Sequence, residues 1–361
     1  GNLNVHYRYT INIREKKMGF DNKFDPKLNR RDILKGSIAV VGAAAALSFP
    51  FSSALAKGFP DQNIKIYIPT RAGGGADRLN RAVTSVWKKY LKTNFENSFF
   101  PGAAGRVGYE KYMGLAKDDG HELLFGNMGP EVLNWVVKAP TFDLNKFKYF
   151  AQIDADPGVI FVSRKSKFKT IDDVIAAAKK KTLNVGVSRL AHPATLGVMA
   201  LARQAGAKLN AIPLSGGKNT YAGVATGEMD LGALPSGGVI KRSKNFKILL
   251  MMSHKNPLPS KTENAPTLND HFKMSMPSLV AGARAYGIKT SAISDHGANF
   301  RKLEETLKKT ISDPEFKKAY QKTKAPWEYV RYRGPEEAAV YAKGIAQIGK
   351  EFKELLSGKK S

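Results

Sequence analysis

The chain passes repeatedly from a short apolar run, through a turn of small residues, into a segment of helical period. In the first such passage, Asn63-Ile64-Lys65-Ile66-Tyr67-Ile68-Pro69 alternates as a strand does. Thr70-Arg71-Ala72-Gly73-Gly74-Gly75 is a glycine-rich turn, and from Ala76 the period changes. Leu79, Val83, Val86, Trp87, Tyr90 and Leu91 then fall on one helical face. A second turn, Pro101–Gly105, precedes a helix to about Lys117 and the strand Glu122–Gly126. Strand, helix, turn, helix, strand is the rhythm of a parallel α/β layout.

The pattern resumes further on. Val159–Val162 reads as a strand, and Thr170-Ile171-Asp172-Asp173 reads as a capping box with Asp in place of Glu, opening a helix to about Lys181. Strand Leu183–Val187, helix Pro193–Gly206, strand Leu209–Leu214, helix Lys218–Gly227 and strands Met229–Leu234 and Phe246–Met252 make a second α/β unit. The C-terminal part reads as helical. Phe300, Leu303 and Leu307 share one face; Ala338, Tyr341, Ile345, Ile348, Phe352 and Leu355 share another. Such stripes are core packing. A length of 361 residues allows two such domains.

The N-terminal region carries an address. Asn29-Arg30-Arg31-Asp32-Ile33-Leu34-Lys35 precedes the Ala/Gly-rich run Gly36–Leu47, and Ala54-Leu55-Ala56 is a small-x-small exit. Adjacent arginines before a moderately apolar stretch mark a twin-arginine signal, with cleavage expected after Ala56. Residues 1–56 then form an extension plus signal, and Met18 is an alternative start. The expected destination is the periplasm.

Composition narrows the chemistry. There is no cysteine, which excludes disulfides, thiolate metal sites and a cysteine nucleophile. The formal charge is +27, of which residues 1–56 hold nine Lys/Arg against four Asp/Glu, leaving about +22 for the rest. That balance favours anionic partners. Nucleic acid is not expected, because no recognition helix, zinc-finger spacing or RNP-like motif is present. Three loops, Arg71–Asp77, Val187–Thr195 and Ser215–Thr220, each join a strand end to a helix start. Helix N-termini offer unpaired N–H groups and partial positive charge, and glycine lets the backbone approach a ligand. None of these loops is a P-loop or a G-x-G-x-x-G nucleotide motif. Together they point to a carboxylate or similar anion, with no cofactor and no metal.

Several motifs resemble one family in order and spacing. Ile68-Pro69-Thr70-Arg71-Ala72-Gly73-Gly74-Gly75-Ala76-Asp77-Arg78-Leu79-Asn80-Arg81 is similar to the first loop of the tripartite tricarboxylate transporter substrate-binding receptors, or Bug family. Pro101-Gly102-Ala103-Ala104-Gly105-Arg106-Val107-Gly108 resembles its second signature, and Asp118-Asp119-Gly120-His121-Glu122-Leu123-Leu124 the strand after it. Pro213-Leu214-Ser215-Gly216-Gly217-Lys218 and Gly227-Glu228-Met229-Asp230 resemble later turns, so the likeness spans nearly all of residues 58–355.

The resemblance implies an α/β, type II periplasmic-binding-protein fold. It has two α/β lobes with a central cleft, plus C-terminal helices. Residues 57–157 and 279–361 would form lobe one and residues 158–278 lobe two. It implies capture of a small organic acid anion by a monomer and its delivery to membrane transporter subunits, without catalysis. Carried over, the ligand contacts are Ala72, Gly73, Gly74 and Asp77 in the first loop, and Ser188, His192, Gly216, Gly217 and Lys218 in lobe two. Departures mark candidate specificity residues. Arg71 stands where the family has an apolar or small residue; facing the cleft it would clamp a carboxylate, and facing outward it is a surface arginine. Arg189 and His192 lie in a stretch that lacks the expected glycines. The return to lobe one is blurred at Arg284-Ala285-Tyr286-Gly287.

Two other functions compete. A periplasmic enzyme would need a nucleophile elbow, a zinc motif or triad spacing, and none is present. A sensor presenting bound carboxylate to a membrane signalling partner would share every feature above.

Overall fold

The structure is a computed structural model describing residues 58–276 and 280–359. The twin-arginine segment, Met18 and the Ala56 exit lie outside the described residues. The strands are β1 Ile64–Ile68, β2 Phe95–Phe99, β3 Glu122–Asn127, β4 Phe147–Ser163, β5 Leu183–Val187, β6 Leu209–Pro213, β7 Leu231–Pro235, β8 Phe246–Met251, β9 Val280–Lys289 and β10 Val330–Arg333. Helices α1 Gly75–Leu91, α2 Arg106–Leu115, α3 Met128–Val137, α4 Ile171–Lys180, α5 Pro193–Ala205 and α6 Gly217–Thr226 alternate with them. Then come α7 Ser236–Ile240, α8 Leu268–Phe272, α9 Thr290–Ser294, α10 Gly297–Ser312, α11 Pro314–Lys322, α12 Pro335–Glu351 and α13 Lys353–Leu356.

The strands run in the order β2-β1-β3-β9-β4-β7-β5-β6, with β8 and β10 also pairing with β4. β1 is parallel to β2 and β3, and β5 is parallel to β6 and β7. Between these parallel blocks lie β9 and β4, antiparallel to each other and to the strands they join. β4 changes partners along its length. Phe147 to Pro157 pair with β9, whereas Gly158 to Phe161 pair with β7. This is the expected two-lobed α/β architecture with a C-terminal helical tail.

Both faces of the first block are covered, as a parallel sheet requires. Ile64, Ile66 and Ile68 project to one side and pack with Leu79, Val83 and Trp87 of α1 and with Leu303 and Leu307 of α10. Tyr67 projects to the other side and joins Tyr109, Tyr112, Leu124 and Tyr149. The second block is covered in the same way. Leu183, Val185 and Val187 of β5 and Leu231 and Ala233 of β7 are all buried and share a core with α4 and α5.

The local signals behave as their chemistry dictates. Thr170 Oγ1 accepts from Asp173 N–H (3.2 Å) and Asp173 Oδ2 accepts from Thr170 N–H (2.9 Å), completing the capping box with Asp. Three expectations need correction. The stretch after α1 contains strand β2, which patterning does not reveal because Phe95–Phe99 is an edge strand without a buried alternation. Val159–Val162 is only the end of a 17-residue strand. Register shifts at Tyr149/Ala151, Gln152/Asp154 and Asp156/Pro157 break the period-two pattern there. The blurred Arg284–Gly287 stretch is an intact part of β9.

Candidate functional site

The strand ends and helix starts of both blocks meet at a cavity of about 1060 Å³. One wall is the turn between β1 and α1, from Thr70 to Ala76. Gly73 takes a positive φ of 75°, and Gly74 caps α1 in extended conformation. Asp77 shapes this turn from within. It is buried, its Oδ2 accepts from Gly73 N–H (2.8 Å), and its Oδ1 accepts from Arg81 Nε (2.8 Å). Arg78 donates to Gly73 O (2.6 Å), closing the turn from the other side. The first-turn N–H groups of α1 have no helical acceptor and lie along this wall.

The facing wall comes from the second block. Gly216, at φ 120°, caps α6, and its N–H is held by Ser188 O (3.0 Å). His192 caps α5: its Nδ1 accepts from Ala194 N–H (3.1 Å). Burial, with Arg189 nearby, holds its imidazole down at about 3, so it is neutral. With Nδ1 accepting, the ring proton sits on Nε2, leaving a neutral donor. Arg242 stacks on Tyr221, its guanidinium carbon 4.3 Å from the ring centroid, and donates to Gly238 O (3.0 Å). A Cβ at Gly238 would lie 2.3 Å from the Tyr221 hydroxyl, so this packing requires glycine. Lys241 is pushed below its ordinary range by burial and by the charge of Arg78.

The floor is the crossing strands. Asp156 of β4 accepts from Ser236 Oγ (2.8 Å) and Gly237 N–H (3.1 Å), yet burial raises its carboxyl to about 6. Arg284 of β9 donates through Nε to Asp154 Oδ1 (2.9 Å), through Nη2 to Asp154 Oδ2, and through Nη1 to Gly75 O (2.8 Å). Thr70 Oγ1 is buried with no partner among the described residues.

Of the residues singled out from sequence, Arg71, Ala72, Gly73, Gly74, His192, Gly216 and Gly217 line this cavity. Asp77, Ser188, Arg189 and Lys218 do not line it. Asp77 and Ser188 support the wall residues Gly73 and Gly216, and Lys218 is exposed. Arg189 reaches instead to Ala104 O (3.4 Å) in the Pro101–Gly105 turn, linking the two blocks at the edge of the cleft. Sequence reasoning missed Thr70, Arg78, Asp156, Tyr221, Lys241, Arg242 and Arg284, all of which line the cavity. Only Thr70, Arg78 and Arg284 lie in stretches marked by motif.

Beside that edge lies a buried acid. Glu131 is 1% exposed, and its Oε2 has no partner among the described residues. A Cβ at Gly105 would lie 2.8 Å from its Oε1. Burial raises its carboxyl to about 8 despite the opposing charge of Arg189. The neutral form is thus favoured by folding. Its stabilisation is complete below the usual glutamate range and is lost as pH rises through about 8. Glu131→Gln is therefore expected to flatten the fall in urea-unfolding midpoint between about pH 5 and 9. Parallel profiles for the two proteins would remove Glu131 as its source.

Asp77→Ala is expected to cost about 1–2 kcal/mol, because it removes a charged acceptor from the Gly73 N–H. Ligand affinity should fall with it, as the turn loses its internal brace. Calorimetry and urea unfolding on one preparation check both, and unchanged affinity would take Asp77 out of the site.

Among the described residues, no cluster of three or more His, Cys, Asp or Glu is placed to hold a metal, and no helix is long and apolar enough to cross a membrane. The description "Tripartite tricarboxylate transporter family receptor" belongs to the sequence family that matches residues 95–331. A twin-arginine translocation signal matches residues 27–48, which places the protein in the periplasm. No curated protein matches the chain by sequence. A TctC solute-binding protein from Polaromonas, without ligand, is similar in structure: TM-score 0.68, 21% identity, covering 81% of this chain and 98% of its own. MatC from Rhodopseudomonas palustris with bound malate matches with TM-score 0.61 and 17% identity, covering 82% and 100%. A further R. palustris protein, with adipate, matches with TM-score 0.64 and 17% identity, covering 83% and 98%. At such identities the likeness is one of fold; the family rests on the sequence match. On that match, over well more than half its length, the chain belongs to the tripartite tricarboxylate transporter receptors, a family of periplasmic solute-binding proteins.

Proposed function

We propose that this receptor captures an organic di- or tricarboxylate between its two lobes and delivers it, as a monomer and without catalysis, to a tripartite tricarboxylate-type membrane transporter. The observation that carries this reading is the charge of the cleft. Arg71, Arg78, Lys241 and Arg242 line it together with the starts of α1 and α6, against the single carboxylate of Asp156. Arg284 is already committed to Asp154, so it adds little free charge. Ligand carboxylates would accept from the N–H groups of Ala72, Gly75 and Gly217, since those of Gly73, Gly74 and Gly216 are already held by Asp77 Oδ2, Arg71 O and Ser188 O, with His192 Nε2 and Thr70 Oγ1 as neutral partners. Arg189 and Lys218, outside the cleft wall, would act only at its rim. Two structural relatives hold malate and adipate, which is the class of ligand this chemistry suits.

Lobe one would comprise residues 57–157 and 279–361, and lobe two residues 158–278. The partner change of β4 at Pro157/Gly158 supports that division. Ligand touching both walls would favour closure about the crossing strands. Cleavage after Ala56 would leave the first strand a few residues inside the mature chain.

A thermal-shift panel of mono-, di- and tricarboxylates tests the reading. A ligand at a hundred times its dissociation constant adds about 2.7 kcal/mol of stability. Arg242→Ala should weaken the response about tenfold or more, since a charge-assisted contact is worth about 1.5–3 kcal/mol. If no carboxylate raised the midpoint while neutral solutes did, the assignment would fall.

A further inference from the structure

Across β4 from the cleft lies a second concavity, of about 500 Å³. β4 is the partition. Asp156 lines the cleft, while its neighbours Ala155 and Pro157 line the second cavity. The remaining walls come from two places. Ser253–Pro257 follow β8, which pairs with the second stretch of β4 from Val159 to Ser163. The other wall, from Glu328 to Arg333, includes β10, which pairs with Gln152 and Asp154 in the first stretch. The cavity therefore straddles the point where β4 changes partners.

Its charge is one-sided. Lys255, Arg331 and Arg333 line it against the single carboxylate of Glu328. None of the three cations forms an ion pair among the described residues. Cations are common on this chain, but these three converge on one concavity, where their mutual repulsion would be relieved by a bound anion.

The cavity is also wired to the cleft. Tyr329, a wall residue 2% exposed, shares a hydrogen bond with Ser236 Oγ. Ser236 in turn donates to Asp156 Oδ1 (2.8 Å). A serine hydroxyl has one proton and gives it to Asp156, so Tyr329 is the donor to Ser236. A wall residue of one cavity thus braces the acid on the floor of the other.

We propose that this concavity is a second anion site, taking a small multivalent oxyanion of phosphate-like charge and size, and that occupancy there biases the hinge. An anion held by Lys255 on one side and by Arg331 and Arg333 on the other joins elements anchored to both stretches of β4. It would change the equilibrium between open and closed lobes to the extent that it binds one of them better. This inference does not rest on the cleft ligand being a carboxylate.

Inorganic phosphate is the probe, titrated into the purified chain at ionic strength held constant with sodium chloride. Three proteins are compared: wild type, Arg331→Ala/Arg333→Ala, and the cleft variant Arg242→Ala. Lys255→Glu serves as an independent second variant of the cavity. The expected result is a saturable rise in unfolding midpoint in wild type and in Arg242→Ala, weakened about tenfold or more in both cavity variants. No response beyond the chloride control would overturn the proposal. So would a response lost in Arg242→Ala and kept in the cavity variants, which assigns the anion to the cleft. The hinge part is read by small-angle scattering of Arg242→Ala. Phosphate should shift its radius of gyration, and not that of the same protein carrying Lys255→Glu; binding without any shift would overturn the coupling.

Discussion

Arg284→Ala is expected to lower the unfolding free energy by about 3–5 kcal/mol, the cost of breaking a buried pair by removing one partner. Asp154 is fully buried, and Arg284 side-chain exposure is 15%. The guanidinium covers both carboxylate oxygens and spends a third donor on Gly75 O. Burial opposes the Arg284 charge, but Asp154 outweighs it and raises its proton affinity above the ordinary value. Without the arginine, Asp154 retains the Tyr320 hydroxyl (3.1 Å) and little else to replace water. A double replacement, Asp154→Leu with Arg284→Met, removes both charges and is expected to recover most of the loss. Urea unfolding of wild type and the two variants checks this. A single variant as stable as wild type would mean that water reaches Asp154. Ligand affinity should fall in the double variant as well, because Gly75 at the start of α1 is no longer tied to β9.

Gly108→Ala is the second large effect. The added Cβ would lie 2.4 Å from Pro69 Cβ, 2.6 Å from Pro69 Cα and 3.2 Å from Phe100 O. Each of these atoms belongs to the backbone or to a proline ring, so no flexible side chain can swing away. Either α2 lifts from the sheet or the end of β1 shifts, at a cost of about 1–3 kcal/mol. Pro69 directly precedes Thr70 and Arg71, so the shift moves the first wall of the cleft. Carboxylate affinity is expected to fall about tenfold for each 1.4 kcal/mol of misplaced contact. Gly114→Ala, in the same helix, is the control. Nothing lies within 4 Å of its Cβ position, so it should stabilise by about 0.5–1 kcal/mol and leave binding unchanged. Equal behaviour of the two substitutions would show that the Gly108 contact is not sterically limiting.

Much of the architecture was legible in the residues. A change of period from two to about 3.6 across a glycine turn marked β1 and α1, and the same change recurred through the second block. Those signals are local: each depends on a few dihedral angles and on which face of one element is apolar. The crossing strands were not legible for the same reason. In β4 three register shifts destroy the alternation that identifies a strand, and Pro157 and Gly158 look like a turn. In β9 Arg284 looked like a departure from pattern, because its partner Asp154 is 130 residues away.

The candidate site divides along the same line. The glycine turns, and with them the helix starts that favour an anion, were written in the sequence before any strand was paired. So was the twin-arginine address, which is read as a linear signal and needs no fold. Which charges face the cleft was decided only by tertiary structure. Fifty-eight lysines and arginines are available. Long-range pairing commits Arg284 to Asp154 and leaves Arg78, Lys241 and Arg242 on the cleft wall. Asp77 and Arg189, conspicuous as residues, are turned to bracing Gly73 and reaching Ala104. A side chain's neighbours depend on strand order and register, which local sequence does not encode, whereas the conformation of a glycine turn is set by its own steric freedom.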